Sequence, residues 1–216
     1  MSNLYHRKTS RMDFFLEERR NVILIRQKWK YNWLTLSGTS QWNYQEKKTF
    51  HQKADQIIWQ EWGGHFKMRV SGKSDFAKQH ANTIFTLNFD ILWELTNPHW
   101  VVNVTKIPKN KFKRSNVIWG KHEINLDTED VNVNNRIRAG KTYKQYPVSH
   151  EYGHSSGNVP QNVNHWDEYR SVSNYVSDRK SMMNIGHDLR ERHIDYIITQ
   201  LNLLIPNTSF TYAVKP

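Results

Sequence analysis

The chain has 216 residues, enough for one large domain with a sizeable core, and its 9 Trp, 10 Tyr and 9 Phe exclude a disordered polymer although only 37% of residues are hydrophobic. The formal net charge of +11 favours anionic partners without choosing among nucleic acid, an anionic envelope surface and an acidic protein. Cysteine is absent, so disulfides, thiolate zinc ligands and a cysteine nucleophile are excluded, and any metal must be held by His, Asp or Glu.

Along the chain, residues 12–36 mix apolar and charged positions without clean periodicity, compatible with a helix or a strand pair. The apolar run from Val22 to Ile25 is too short for a signal-peptide core, and nothing approaches a membrane span. Residues 46–62 place Phe50, Ala54, Ile57, Ile58 and Trp62 at helical spacing, with Gly63-Gly64 as a stop. The pattern then changes to period two: residues 65–72, 83–95, 99–107 and 115–126 alternate or run apolar between turn residues. This predicts an antiparallel sheet of about four strands. Residues 127–146 are polar and read as a loop.

Pro147 suits the first position of a helix carrying His150-Glu151-Tyr152-Gly153-His154, an HExxH sequence. On a helix, positions i and i+4 share a face, so both imidazoles can reach one Zn2+, with Glu151 beside the open position as the base. Gly153 works against helix propensity by about 1 kcal/mol unless a close approach requires it. Gly157 extends the motif to HExxHxxG, and its conformational freedom would let the chain end the helix and turn back. Residues 155–181 lack regular periodicity, and residues 187–204 form a final helical stripe stopped by Pro206. The order of elements predicts an α+β fold in one domain spanning 1–216, with a helix-and-sheet part (1–146) and a part carrying the zinc helix and the last helix (147–216).

HExxHxxG followed by the methionine-bearing turn at Ser181-Met182-Met183 resembles the metzincin clan of zinc peptidases, with Met183 at the Met-turn position. The resemblance implies a zincin-like fold, bound Zn2+ and peptide hydrolysis. The clan's usual third-ligand position is Pro160 here, which cannot bind metal, so the ligand is expected later, within His165-Trp166-Asp167-Glu168-Tyr169. Glu168 is the first choice because of its reach, Asp167 the alternative and His165 the third. Tyr169 is a candidate transition-state stabiliser, with packing as its other reading. His187 and His193 are read as surface or supporting residues.

The tripeptide at 167–169 and the spacing of Asp178, Ser181, Met183, Asn184, Gly186, Arg190, Arg192 and His193 resemble metallopeptidase toxin domains of type VI secretion spike proteins and related bacterial toxins. That implies a secreted antibacterial effector, exported without a Sec signal by a spike or carrier protein and acting in the target-cell periplasm. Its substrate would be a protein or a peptidoglycan peptide, and the producing cell would need a cognate immunity protein. A basic nucleic-acid-binding module explains the charge but leaves HExxHxxG and the methionine turn as coincidences. A purely structural zinc would require a fourth protein ligand, for which His165 together with Glu168 would suffice.

Overall fold

The computed structural model describes residues 4–109 and 111–214. The chain opens with strands β1 (Leu4–Lys8), β2 (Asp13–Glu17) and β3 (Val22–Thr35), followed by helix α1 (Tyr44–Trp62). Strand β4 (Lys67–Gly72), the short helix α2 (Asp75–Gln79), β5 (Phe85–Trp93), β6 (Trp100–Lys106), β7 (Asn116–Ile118) and β8 (Glu123–Asp127) come next. A hairpin of β9 (Asn134–Arg138) and β10 (Lys141–Gln145) leads into α3 (Pro147–Ser155); α4 (Asp195–Leu201) and β11 (Thr208–Val214) complete the chain.

Nine strands form one mixed sheet in the order β11-β4-β5-β3-β6-β8-β7, with β2 beside the first half of β3 and β1 beside β2. The 14-residue β3 is the hub: Val22–Trp29 runs parallel to β5, and Trp29–Thr35 runs parallel to β6. Strand β8 is parallel to β6, while the pairs β1–β2, β2–β3, β4–β5, β4–β11 and β7–β8 are antiparallel.

This corrects the expected four-stranded antiparallel, zincin-like sheet. Period two reports that one face of a strand is buried; it does not report strand direction. In β3, Ile23, Ile25, Gln27 and Trp29 are fully buried on one face, and their alternates are more exposed. The opposite face carries an Arg26–Asp90 pair at 2.6 Å and hydrogen-bonded asparagines Asn32, Asn103, Asn125 and Asn116 running across four strands. Parallel strands with one polar face therefore give the signature usually found in antiparallel sheets.

Other expectations shift as well. Residues 12–36 supply a strand pair, residues 127–146 contain the β9–β10 hairpin, and the last helical stripe is reduced to a 3-10 turn (Glu191–Ile194) plus α4. Strand β11 was not expected.

Helices α1 and α3 pack on the same face of the sheet. A capping box starts α1: Asn43 Oδ1 accepts from Glu46 N–H and the Glu46 carboxylate accepts from Asn43 N–H. Gly64, at φ 79°, lets the chain leave the helix. Trp62 is fully buried against Phe89 of β5 and Tyr152 of α3, and its indole N–H donates to Ser149 O at 3.1 Å. Trp62→Ala would remove the contact joining helix, sheet and α3, at a cost of about 3–5 kcal/mol.

Candidate metal centre

Helix α3 carries the HExxH residues and is buried from Val148 to Ser155. Pro147 occupies its first turn, where a missing N–H costs nothing. The far end is fixed to β3: Ser155 Oγ donates to Gln27 Oε1 and Gln27 Nε2 donates to Ser156 Oγ. Gly153 is explained by the Met-turn. A Cβ at that position would lie 2.5 Å from Met183 Sδ and 3.0 Å from the Trp62 ring, so glycine is needed for Met183 to sit against the helix. Gly157, at φ 113°, turns the chain, and a Cβ there would meet Tyr196 at 2.5 Å.

The two histidines meet at their Nε2 atoms, 3.2 Å apart. His150 Nδ1 lies 2.7 Å from Met182 O and His154 Nδ1 lies 2.6 Å from Asn158 O. A carbonyl only accepts, so each Nδ1 carries the proton and each Nε2 presents a lone pair towards the other. Two facing lone pairs repel unless a proton or a cation lies between them. Asp167 Oδ1 completes the group, 3.3 Å from His154 Nε2. Ligand atoms of His150, His154 and Asp167 all lie within 4.8 Å of one another, the one such group among the described residues. The donor set fits zinc, and the backbone carbonyls behind both rings supply the outer-shell support that metal-bound histidines need.

Protonation follows from burial and neighbours. Burial and the adjacent His154 push His150 down to about 3. Without a metal, His154 is raised and its Nε2 holds the proton that separates the two rings: burial opposes this, but the hydrogen bond to Asp167 and the nearby Glu151 outweigh it. Burial raises Glu151 to about 7, although His154 pulls the other way, and its Oε2 is buried with no hydrogen-bond partner among the described residues. A carboxylate near neutrality, free on one oxygen and facing a cleft, suits a general base.

The expected first choice for third ligand, Glu168, is engaged elsewhere. Its carboxylate is fully buried, accepts from Arg192 at 2.6 and 2.9 Å, and lies 3.4 Å from His193 Nε2. Reach was the reason for preferring glutamate, but here that reach takes the side chain to a buried cation. His165 pairs with Asp195 at 3.1 Å. Tyr169, 40% exposed, has its hydroxyl raised to about 12, first by burial and then by the nearby Asp167 carboxylate. His193 is completely buried, its Nδ1 accepting from Arg190 N–H and its Nε2 facing Ser181 and Glu168, whereas His187 is exposed.

The turn carrying Met182 and Met183 is built from these partners. Glu168 N–H donates to Met183 O at 3.0 Å, and Arg190 and Arg192 both bond to Asp178. Sequence reasoning missed two supports. Gln145 Nε2 donates to Met182 O and Gly186 O, and Asn158 Nδ2 donates to Gly153 O and His193 O. Neither residue type announces such a role, since each acts by filling a buried hydrogen-bonding gap far along the chain.

The site opens into a cleft of about 420 Å³. Asp130 lines it, bonded to Ser115 Oγ and raised to about 7 by burial and by Asp127. Asn116 and Val117 of β7 also line it; β7 ends the sheet order, so an edge strand borders the cleft. Among the described residues no helix is long and apolar enough to cross a membrane. No family model, curated protein or solved structure matches this chain.

Proposed function

We propose that the protein is a zinc-dependent peptidase. The observation carrying this reading is the convergence of two Nε2 atoms and the Asp167 carboxylate beside a buried Glu151 oxygen that has no partner among the described residues, at the cleft. His150, His154 and Asp167 would hold the ion, which would supply Lewis acidity towards water and a substrate carbonyl. Glu151 takes the proton from the attacking water and returns it to the leaving amine. Strand β7 ends the sheet at the cleft, where an extended peptide can lie by strand addition.

An open site is favoured over a purely structural zinc because His165 and Glu168 are paired with Asp195 and Arg192. The charge of +11 and the toxin-like pattern at 178–193 support a delivered effector acting on a protein or peptidoglycan peptide, blocked by an acidic immunity protein. The test is hydrolysis of peptide and peptidoglycan substrates by the zinc-loaded protein and its Glu151→Ala form. Activity should fall by about 10²–10⁴-fold in the variant, with zinc retained; undiminished activity would remove the mechanism.

A further inference from the structure

Most arginines that reach into this fold are paired. Arg26 bonds Asp90, Arg190 bonds Asp178 and Arg192 bonds Glu168, at 2.6–2.8 Å. Arg114, just before β7, and Arg136, on β9, differ. Both line the cleft that holds Glu151, Arg114 exposed at its rim and Arg136 half-buried, and neither side chain makes a hydrogen bond or ion pair among the described residues. Both act electrostatically on Glu151, Arg136 also on His150 and Arg114 also on Tyr169, so both belong to the field of the site. None of the cleft's acids is paired with them: Asp130 is taken by Ser115 and the Asp127 N–H, Asp167 lies against His154, and Glu151 forms no ion pair with either arginine among the described residues.

We propose that Arg114 and Arg136 form a carboxylate subsite, so that the preferred substrate is a peptide with a carboxylate close to the scissile bond. This rests on the peptidase reading for the words substrate and scissile bond, but the anion site itself does not require the metal. The anionic groups of a peptide are acidic side chains and the terminal carboxylate, and the planar guanidinium fork matches either in a bidentate fashion. Arg136 is half-buried, so a carboxylate held against it is screened less than one on an open surface. The two arginines stand on separate elements, one leading into the edge strand β7 and the other on the β9–β10 hairpin, and both face the cleft that β7 borders.

The test is equilibrium binding of three blocked or part-blocked pentapeptides to the full chain, metal-free and, separately, as zinc-loaded Glu151→Ala. One peptide has a central glutamate and a C-terminal amide; the second has glutamine at the centre; the third is the glutamine peptide with a free terminal carboxylate. The glutamate or the free-carboxylate peptide should bind at least about tenfold more tightly than the neutral one, equivalent to about 1.4 kcal/mol, and whichever does so identifies the source of the carboxylate. Arg114→Gln and Arg136→Gln should each reduce that preference while leaving neutral-peptide binding unchanged, and Arg136→Lys should retain part of it. Equal affinities for all three peptides, no binding by any of them, or a preference that survives both glutamine substitutions would overturn the subsite. A preserved preference in protein that takes up no zinc would instead overturn the peptidase reading and leave the subsite standing.

Discussion

Asp167 and Glu168 are consecutive, yet their carboxylates go to different partners: Asp167 Oδ1 lies 3.3 Å from His154 Nε2, while Glu168 accepts from Arg192 at 2.6 and 2.9 Å. One residue is available to a metal, and its neighbour pins the loop that presents it. Asp167→Asn should therefore weaken zinc binding by at least the 10–100-fold that loss of an outer-shell partner typically costs, roughly speaking, with little change in thermal stability. Competition titration against a chelator measures this. Unchanged affinity would remove Asp167 from the ligand set.

Glu168→Gln should act in the opposite sense. Arg192 keeps Asp178 at 2.9 Å but loses its charged partner at 168, so stability should fall by about 1.5–3 kcal/mol, as measured by urea unfolding of the metal-free protein. Any loss of zinc affinity should track the loss of folded protein.

The same pair predicts an acid limit. Burial would raise Glu168, but hydrogen bonds to His193 and Arg192 outweigh it and hold the carboxyl down at about 2, against an ordinary 4.5. A depressed folded value means that the stabilisation is complete above about pH 4.5 and is lost as pH falls towards 2. The difference corresponds to about 3 kcal/mol. Metal-free protein should lose stability across that window, and Glu168→Gln should flatten this part of the profile; an identical slope in wild type and variant would contradict the assignment.

Gly153→Ala should destabilise the protein by about 1–3 kcal/mol, because the added methyl would overlap Met183 Sδ at 2.5 Å. Met183→Ala should cost about 2–5 kcal/mol through the cavity it leaves. The double variant should cost less than the sum, since each change relieves the other's defect. Strict additivity would show that the two residues do not meet.

Much of the site was legible in the sequence because it is local. Pro147, the i and i+4 histidines and Gly153 lie within eight residues, and helical geometry alone puts the imidazoles on one face. Choosing between Asp167 and Glu168 was beyond reach, since the deciding partners are Arg192 and His193, more than twenty positions downstream. The sheet shows a similar division. Strands β4, β5 and β6 could be read from alternation, but their directions depend on which strand lies beside the long β3, and alternation carries no such information. The β9–β10 hairpin escaped notice because its turn uses Ala139 and Gly140, with φ of 49° and 70°, in place of the usual asparagine or aspartate before glycine.

The most direct test of the central claim is the zinc content and zinc coordination of the purified, dialysed full chain. The expected result is about one zinc per chain, with two imidazole nitrogens at about 2.0–2.1 Å and further oxygen ligands seen by X-ray absorption, and loss of that zinc in His154→Ala but not in Glu151→Ala. A chain that takes up no zinc, or that holds it equally well without His154, would contradict it.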